Sequence, residues 1–222
     1  MPLSLHTLMA EQLEIIPLSP WKRAFDVIAS ASIIVALSPV ITLFLIAILL
    51  ERLFMPSTRG PLLYTETRIS QGEPFTFYKL RTFKLSSISN ARKNGTIHTK
   101  ELEQDFRNFT PTGLALRQVY LDEFPQLFLV LIGRMTLVGP RPTNPVEYKN
   151  SIEGGLHAKR ILKAGLTGRF QSHKSVKYGL NQEQTDMDYA HFCKTHSGPF
   201  IVLYDAVVCL QTILTILRAE GI

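Results

Sequence analysis

The chain has 222 residues, a length that suits one domain or one domain with appendages, and carries 24 Lys+Arg against 18 Asp+Glu for a net charge of +6. A pI near 9.4 combined with a positive mean hydropathy of +0.11 points to an anionic partner: a nucleic acid, a phosphorylated substrate or an acidic membrane surface. Only Cys193 and Cys209 are present, without paired spacing, which excludes a disulfide framework and favours a reduced, cytoplasm-facing compartment.

In chain order, residues 1–20 read as a weakly structured lead-in, because Pro17 and Pro20 discourage helix. Residues 21–52 form a membrane anchor. From Ala24 to Leu50 the chain is almost wholly apolar, long enough for a helix that spans a bilayer, which needs roughly 20 residues. Lys22 and Arg23 precede this run, and Arg52, Arg59 and Arg68 follow it. Basic residues prefer the cytoplasmic side, so a single straight span satisfies only one flank. Ser38-Pro39 sits near the midpoint. Proline removes a backbone donor, and Ser38 can bond back to a freed carbonyl, so a helix-break-helix that dips into the membrane and returns satisfies both flanks. A kinked span is the alternative. Asp26 is expected to pair with Lys22 or Arg23 at the interface.

Residues 53–198 are expected to form a cytoplasmic domain of helices with short strands. Gly60-Pro61 marks a turn, Leu62-Leu63-Tyr64-Thr65 a short strand, and Gln71-Gly72-Glu73-Pro74 a second turn. Phe75 to Phe83 alternates as a strand should, which puts Lys79 and Arg81 on one face. Two such cations can grip a diphosphate, or can be a solvated sheet edge that blunts aggregation. Residues 84–109 read as a polar, mobile loop with a short helix, and Leu114 to Gln118 as a helical turn that brings Arg117 near Asp122.

Leu121-Asp122-Glu123-Phe124-Pro125-Gln126 places two adjacent carboxylates before an apolar helical run, with a proline just behind them. Proline is tolerated only in the first turn, so a helix is expected to begin at about Asp122 to Phe124, where its dipole favours ionised acids. The pair reads as an acidic cap on a core helix, or as a nucleophile beside a metal ligand.

Met135 to Val138 is a short apolar strand ending in Gly139-Pro140-Arg141-Pro142, where two prolines restrict Arg141 in a manner suited to phosphate contact. Gly165-Leu166-Thr167-Gly168-Arg169-Phe170-Gln171 follows Lys159, Arg160 and Lys163 and reads as a phosphate-wrapping loop or a common turn. No Walker A or dinucleotide fingerprint occurs. His191, Cys193 and His196 lack the further ligands of a closed zinc site. Residues 199–222 read as a C-terminal amphipathic helix, because Asp205 and Gln211 are costly in hydrocarbon.

Taken together, Lys22-Arg23 with Asp26, Ser38-Pro39, Gly60-Pro61, Tyr64, Arg68, Phe77 to Thr82, Leu116-Arg117, the Asp-Glu-x-Pro-Gln motif at Asp122, Gly139-Pro140-Arg141-Pro142 and Gly165 to Gly168 with Gln171 resemble the bacterial sugar transferases of the small monotopic phosphoglycosyl transferase type. The resemblance runs over roughly residues 20 to 218. It implies an α+β fold with a re-entrant membrane helix broken at Ser38 and Pro39, a UDP-sugar donor, a polyprenyl phosphate acceptor, membrane lipids as partners and a site facing the cytoplasm at the bacterial inner membrane. It also implies Asp122 as nucleophile, Glu123 as ligand of Mg²⁺, and Lys79, Arg81, Arg117, Arg141, Thr167 and Gln171 as contacts for phosphate and nucleotide.

A nucleic-acid-binding reading rests on pI alone and lacks the aromatic or helix-turn-helix signals it needs, so no nucleic-acid partner is expected, and self-association is left open. The large multi-span extension of some relatives does not precede Trp21, so the expectation is a minimal form. Arg134 stands where the family usually has an acid, Ala164 where proline is common, and Phe83 where methionine is usual. These departures motivate one alternative, an inactive membrane-bound scaffold of a polysaccharide assembly complex.

Overall fold

The computed structural model describes residues 14–93, 99–172 and 181–217. Most of the lead-in, part of the polar loop expected to be mobile and the last residues of the C-terminal segment lie outside them. The chain divides into two compact units. The first comprises Met1–Ser32, Glu66–Phe77 and Gln126–Ile222, and the second Ile33–Thr65 and Tyr78–Pro125. The long helix α1, Pro20–Phe54, contributes its first part to the first unit and its remainder to the second.

Helix α1 is continuous through Pro39, so the expected interruption is not visible as a gap in the helix. Proline here removes the bond that Val35 O would receive, and the Ser38 hydroxyl donates to that carbonyl at 2.8 Å. Strands β1, Leu63–Ser70, and β2, Glu73–Leu80, form a hairpin. Its turn places Gln71 at φ 52° and Gly72 at φ 81°, the two left-handed residues a tight twisted hairpin requires. β1 runs further than the apolar segment suggested: burial alternates from Leu63 through Arg68, although polar residues there occupy both faces.

In the second unit, helix α2 is Leu85–Lys93 and helix α3 is Pro111–Gln118. Thr110 caps α3, its hydroxyl accepting from Gly113 N at 3.0 Å, with Pro111 in the first turn. Ile41, Leu80 and Leu116 form an apolar core that gathers Leu37, Phe44, Leu45 and Ile48 of α1 together with Leu121 and Phe124. A second cluster joins Phe83, Ile88 and Phe109.

The first unit is built on a parallel strand pair, β3 (Thr136–Val138) and β4 (Gly165–Thr167), with Thr136 opposite Gly165 and Val138 opposite Thr167. Helices α5 (Pro145–Glu153) and α6 (Ala158–Ile161) lie in the crossover between them. Helix α4 (Gln126–Leu131) packs on β3. Helices α7 (Arg169–Ser172), α8 (Gln182–Thr195) and α9 (Gly198–Leu217) complete the unit. β4 is a strand where a loop was expected. Three residues carry too little alternation to announce a strand, and Gly165 is there for close approach: a Cβ on it would fall 2.2 Å from Gly139 N.

α9 turns its polar residues inward. Asp205, Thr212 and Thr215 are buried with Ile201 and Val208, while Phe200, Leu203, Val207, Leu210, Leu214 and Leu217 are exposed. By length and composition α1 and α9 are both long and apolar enough to cross a membrane.

Candidate active site

Asp122 and Glu123 do not open an α-helix. They lie in a 3-10 turn, Leu121–Glu123, which is separated from α4 by Phe124 and Pro125. The expected helix start is therefore corrected. Proline removes one donor at the junction, and the chain closes a tighter turn before the α-helix begins. Tyr120, just before the turn, holds a left-handed φ of 57°, an uncommon conformation for a tyrosine. Leu121 and Phe124 reach into the apolar core and fix the turn from both ends.

This anchoring leaves Asp122 buried, with 2% of its surface exposed, while Glu123 is half-buried. Lys79, near the end of β2, donates to Glu123 Oε1 at 2.7 Å and lies 3.9 Å from Asp122 Oδ2. Asp122 Oδ1 is buried and accepts no hydrogen bond among the described residues. Burial pushes the Asp122 carboxyl up to about 6. Lys79 and Arg117 oppose the shift, and Glu123 adds to it. The expected dipole stabilisation of the ionised form is outweighed, because a short 3-10 turn supplies little dipole and the carboxyl is buried.

Arg117, at the end of α3, bonds to Glu103 at 3.2 Å and lies over the Tyr120 ring at 5.6 Å. Burial pulls its pKa down, but Glu103, Asp122 and Glu123 outweigh this and hold it above the usual value. Glu103, which orients Arg117, had no signal in the sequence beyond being one acid in a polar stretch.

Arg81 does not join this group. β2 ends at Leu80, and the Arg81 guanidinium is buried, donating to Pro61 O at 2.8 Å, Phe83 O at 2.6 Å and Thr58 O at 2.5 Å. It ties three loop carbonyls together. The period-two alternation that paired it with Lys79 stops one residue too early.

In the first unit, Gly139-Pro140-Arg141-Pro142 and Gly168-Arg169 leave the carboxyl ends of β3 and β4, the edge where open parallel sheets bind ligands. Arg141 is exposed between two buried prolines, so its backbone is held while its side chain reaches outward. The Gln171 amide is buried, with neither its nitrogen nor its oxygen hydrogen-bonded among the described residues. The Thr167 hydroxyl is shared with Thr212 of α9 at 2.7 Å, so it stitches two elements together.

Asp26 differs from expectation. It is fully buried and accepts from Thr136 Oγ1 at 2.6 Å and Leu137 N at 3.0 Å, fastening α1 to β3. Lys22 pairs instead with Asp205 of α9 and donates to Val138 O at 3.0 Å. Asp205 also accepts from the Tyr189 hydroxyl at 2.7 Å. Asp186 on α8 is a further buried acid, pushed up to about 7 by burial and by Glu183, which sequence patterning did not single out.

The model of the bacterial sugar transferase family matches residues 18–219, and the chain belongs to that family. Among curated proteins it is 40% identical over 138 residues to a Bacillus subtilis (strain 168) protein provisionally named undecaprenyl-phosphate N-acetylgalactosaminyl 1-phosphate transferase, covering 60% of this chain and 69% of that one. It is 30% identical over 214 residues to the undecaprenyl-phosphate galactose phosphotransferase of Salmonella typhimurium (strain LT2), covering 90% of this chain and 41% of that one. It is 37% identical over 175 residues to the undecaprenyl-phosphate glucose phosphotransferase of Komagataeibacter xylinus, covering 72% of this chain and 30% of that one. The chain thus spans well under half the length of the last two.

Proposed function

We propose that this protein is a phosphoglycosyl transferase that moves a sugar-1-phosphate from a UDP-sugar to polyprenyl phosphate at the cytoplasmic face of a bacterial inner membrane. That reaction would initiate assembly of an exopolysaccharide, O-antigen or glycoconjugate. The observation that carries the reading is Asp122 Oδ1, a buried carboxylate oxygen without a hydrogen bond, held beside Lys79 in a family whose named relatives act on undecaprenyl phosphate.

An ionised Asp122 oxygen attacks the sugar-linked phosphorus of the donor. A P–O bond forms to the carboxylate, the bond to the other phosphate breaks, and UMP departs with the electron pair. A phosphate oxygen of the acceptor then attacks the same phosphorus, which breaks the aspartyl P–O bond and regenerates the carboxylate. Lys79 and Arg117 supply positive charge for the phosphates. Arg81 and Thr167 are structural in this scheme. Phosphoryl transfer demands positioning and charge neutralisation more than elaborate chemistry, which suits a site with so few polar groups.

Magnesium fits this donor set. The ion is usually held by one or two carboxylates plus substrate phosphates and water, and Glu123 would be its ligand from the protein. When bound, it would neutralise diphosphate charge. Lys79, which bonds to Glu123, would exchange that contact for a substrate phosphate.

The anchor is read as re-entrant, with a bend at Pro39. Support comes from its two ends. Asp26 fastens one part of α1 to β3, and Glu51 Oε2 accepts from Thr112 N at 2.8 Å on another. Among the described residues between Phe54 and Gly198 no helix is long and apolar enough to cross a membrane. Cysteines placed before Trp21 and after Glu51 are both expected to resist external labelling in intact cells; labelling of one flank would mean a true span.

The test of the activity is UMP release from UDP-sugars by the full chain in membranes. The native protein should release UMP and Asp122→Asn should be slower by on the order of 10³-fold or more. Equal rates would exclude the mechanism, and no release by either with any UDP-sugar would favour the scaffold.

A further inference from the structure

Three cations converge on the end of α4 in the first unit. The Arg23 guanidinium donates to Val130 O at 2.6 Å and Leu131 O at 2.5 Å and lies against Gly133. The Lys163 ammonium donates to Gly133 O at 2.8 Å. Arg134, the next residue, is exposed. Among the described residues these partners are all carbonyl oxygens, which satisfy donors but bring no countercharge beyond the partial charge of a short helix end. Burial lowers the Lys163 pKa, and Arg23 and Arg134 lower it further; the acid that opposes them, Asp26, is already bonded to Thr136 and Leu137. A group of like charges held this close is stabilised by an anion.

The surroundings indicate which anion. Arg23 lies in the first turn of α1, immediately before the apolar run that opens at Ala24. Trp21 is 62% exposed and Ile132 69% exposed, with Phe128 also at the surface. An exposed tryptophan two residues before a basic residue at the mouth of an apolar helix is the composition of a headgroup-level interface. Arg134 is also the position at which an acid is expected from the resemblance.

We propose that Arg23, Arg134 and Lys163 bind the phosphodiester headgroup of an anionic phospholipid. The inference rests on the reading of α1 as membrane-embedded. Two of the three cations are held by backbone carbonyls and arrive preorganised, while Arg134 is placed to complete the contact from the water side. Bound lipid would offset the mutual repulsion of the cluster and seat the beginning of α1 at the membrane surface.

The test uses the full chain reconstituted in phosphatidylcholine bilayers containing a minor share of phosphatidylglycerol, with retained lipid counted by native mass spectrometry. Each basic group near an anionic surface is worth about fivefold in binding. The native protein should therefore enrich phosphatidylglycerol. Arg134→Asp should lose at least about fivefold of that enrichment, and Arg134→Lys should keep most of it. UMP release in pure phosphatidylcholine should be the same for all three, because Arg134 is outside the proposed catalytic machinery. Equal enrichment in native protein and Arg134→Asp overturns the proposal. So does displacement of the lipid by inorganic phosphate, or by an equal amount of polyprenyl phosphate, which would assign the cluster to any anion or to the acceptor. Flotation in the same bilayers is read separately: protein that fails to float contradicts the membrane reading itself, whereas protein that floats without enrichment contradicts only the lipid site.

Discussion

Among the described residues, two pairs of a lysine with a buried carboxylate, one from each unit, have opposite characters. Lys22 and Asp205 are both almost wholly buried, and nearby groups complete their bonding: Val138 O for the lysine, the Tyr189 hydroxyl for the acid. Lys79 is more exposed, bonds to Glu123, and stands 3.9 Å from Asp122, whose other oxygen is left without a hydrogen bond. The first pair joins α1, β3 and α9 into one unit. The second leaves a reactive group incompletely satisfied. A buried polar group lacking a partner is costly to the folded state, and such costs concentrate where a ligand is to complete the site.

Breaking each pair should separate these roles. Lys22→Met strands Asp205 in the interior. The expected result is a loss of about 3–5 kcal/mol of stability, read as a large drop in thermal midpoint or in recovered folded protein. Lys79→Met should leave the fold nearly intact, since the neighbouring acids can take up protons, and should slow UMP release by about 10–100-fold. If the two variants lose stability to the same extent, the contrast between a structural and a functional lysine is void.

The contrast extends to pH. Asp122 must be ionised to attack, and its carboxyl is pushed up to about 6, so UMP release should rise with pH and reach half its plateau near 6. Lys79→Met removes the largest influence holding that value down and should move the midpoint upward. A rate that is flat between pH 5 and pH 7 would show that another group governs the step. Stability has the opposite sense. Because the folded value lies above the unfolded one, the contribution of Asp122 is fully present below the ordinary aspartate value of 3.8 and is lost as pH rises through about 6. Asp122→Asn, neutral throughout, should therefore raise the thermal midpoint by about 2–8 °C at pH 7.5 and change it little near pH 4. That gain in a slower enzyme would be the signature of a strained functional acid.

The sequence made the dyad visible because motif residues are adjacent, and it exposed the apolar anchor because hydropathy is a local property. What it hid is what depends on long-range pairing. Asp26 and Lys22 lie four residues apart on one helix and look like mutual partners, yet each bonds to a distant element, β3 for one and α9 for the other. β4 is too short to alternate and exists because β3 lies beside it. Arg81 looked equivalent to Lys79 until β2 ended between them. The prolines at 125 and 39 were read as marks of a helix start and a helix break. The first instead separates a 3-10 turn from its helix, and the second is accommodated inside a continuous one.

The central claim is that Asp122 carries the phosphosugar between donor and acceptor. It is tested most directly by mixing the full-length protein in bilayers free of polyprenyl phosphate with a UDP-sugar and measuring the intact mass and its peptide map. The account predicts a burst of about one UMP per protein, with a mass gain of one sugar phosphate located on Asp122 and discharged when polyprenyl phosphate is added. Turnover with polyprenyl phosphate, but no adduct and no burst in its absence, would contradict it.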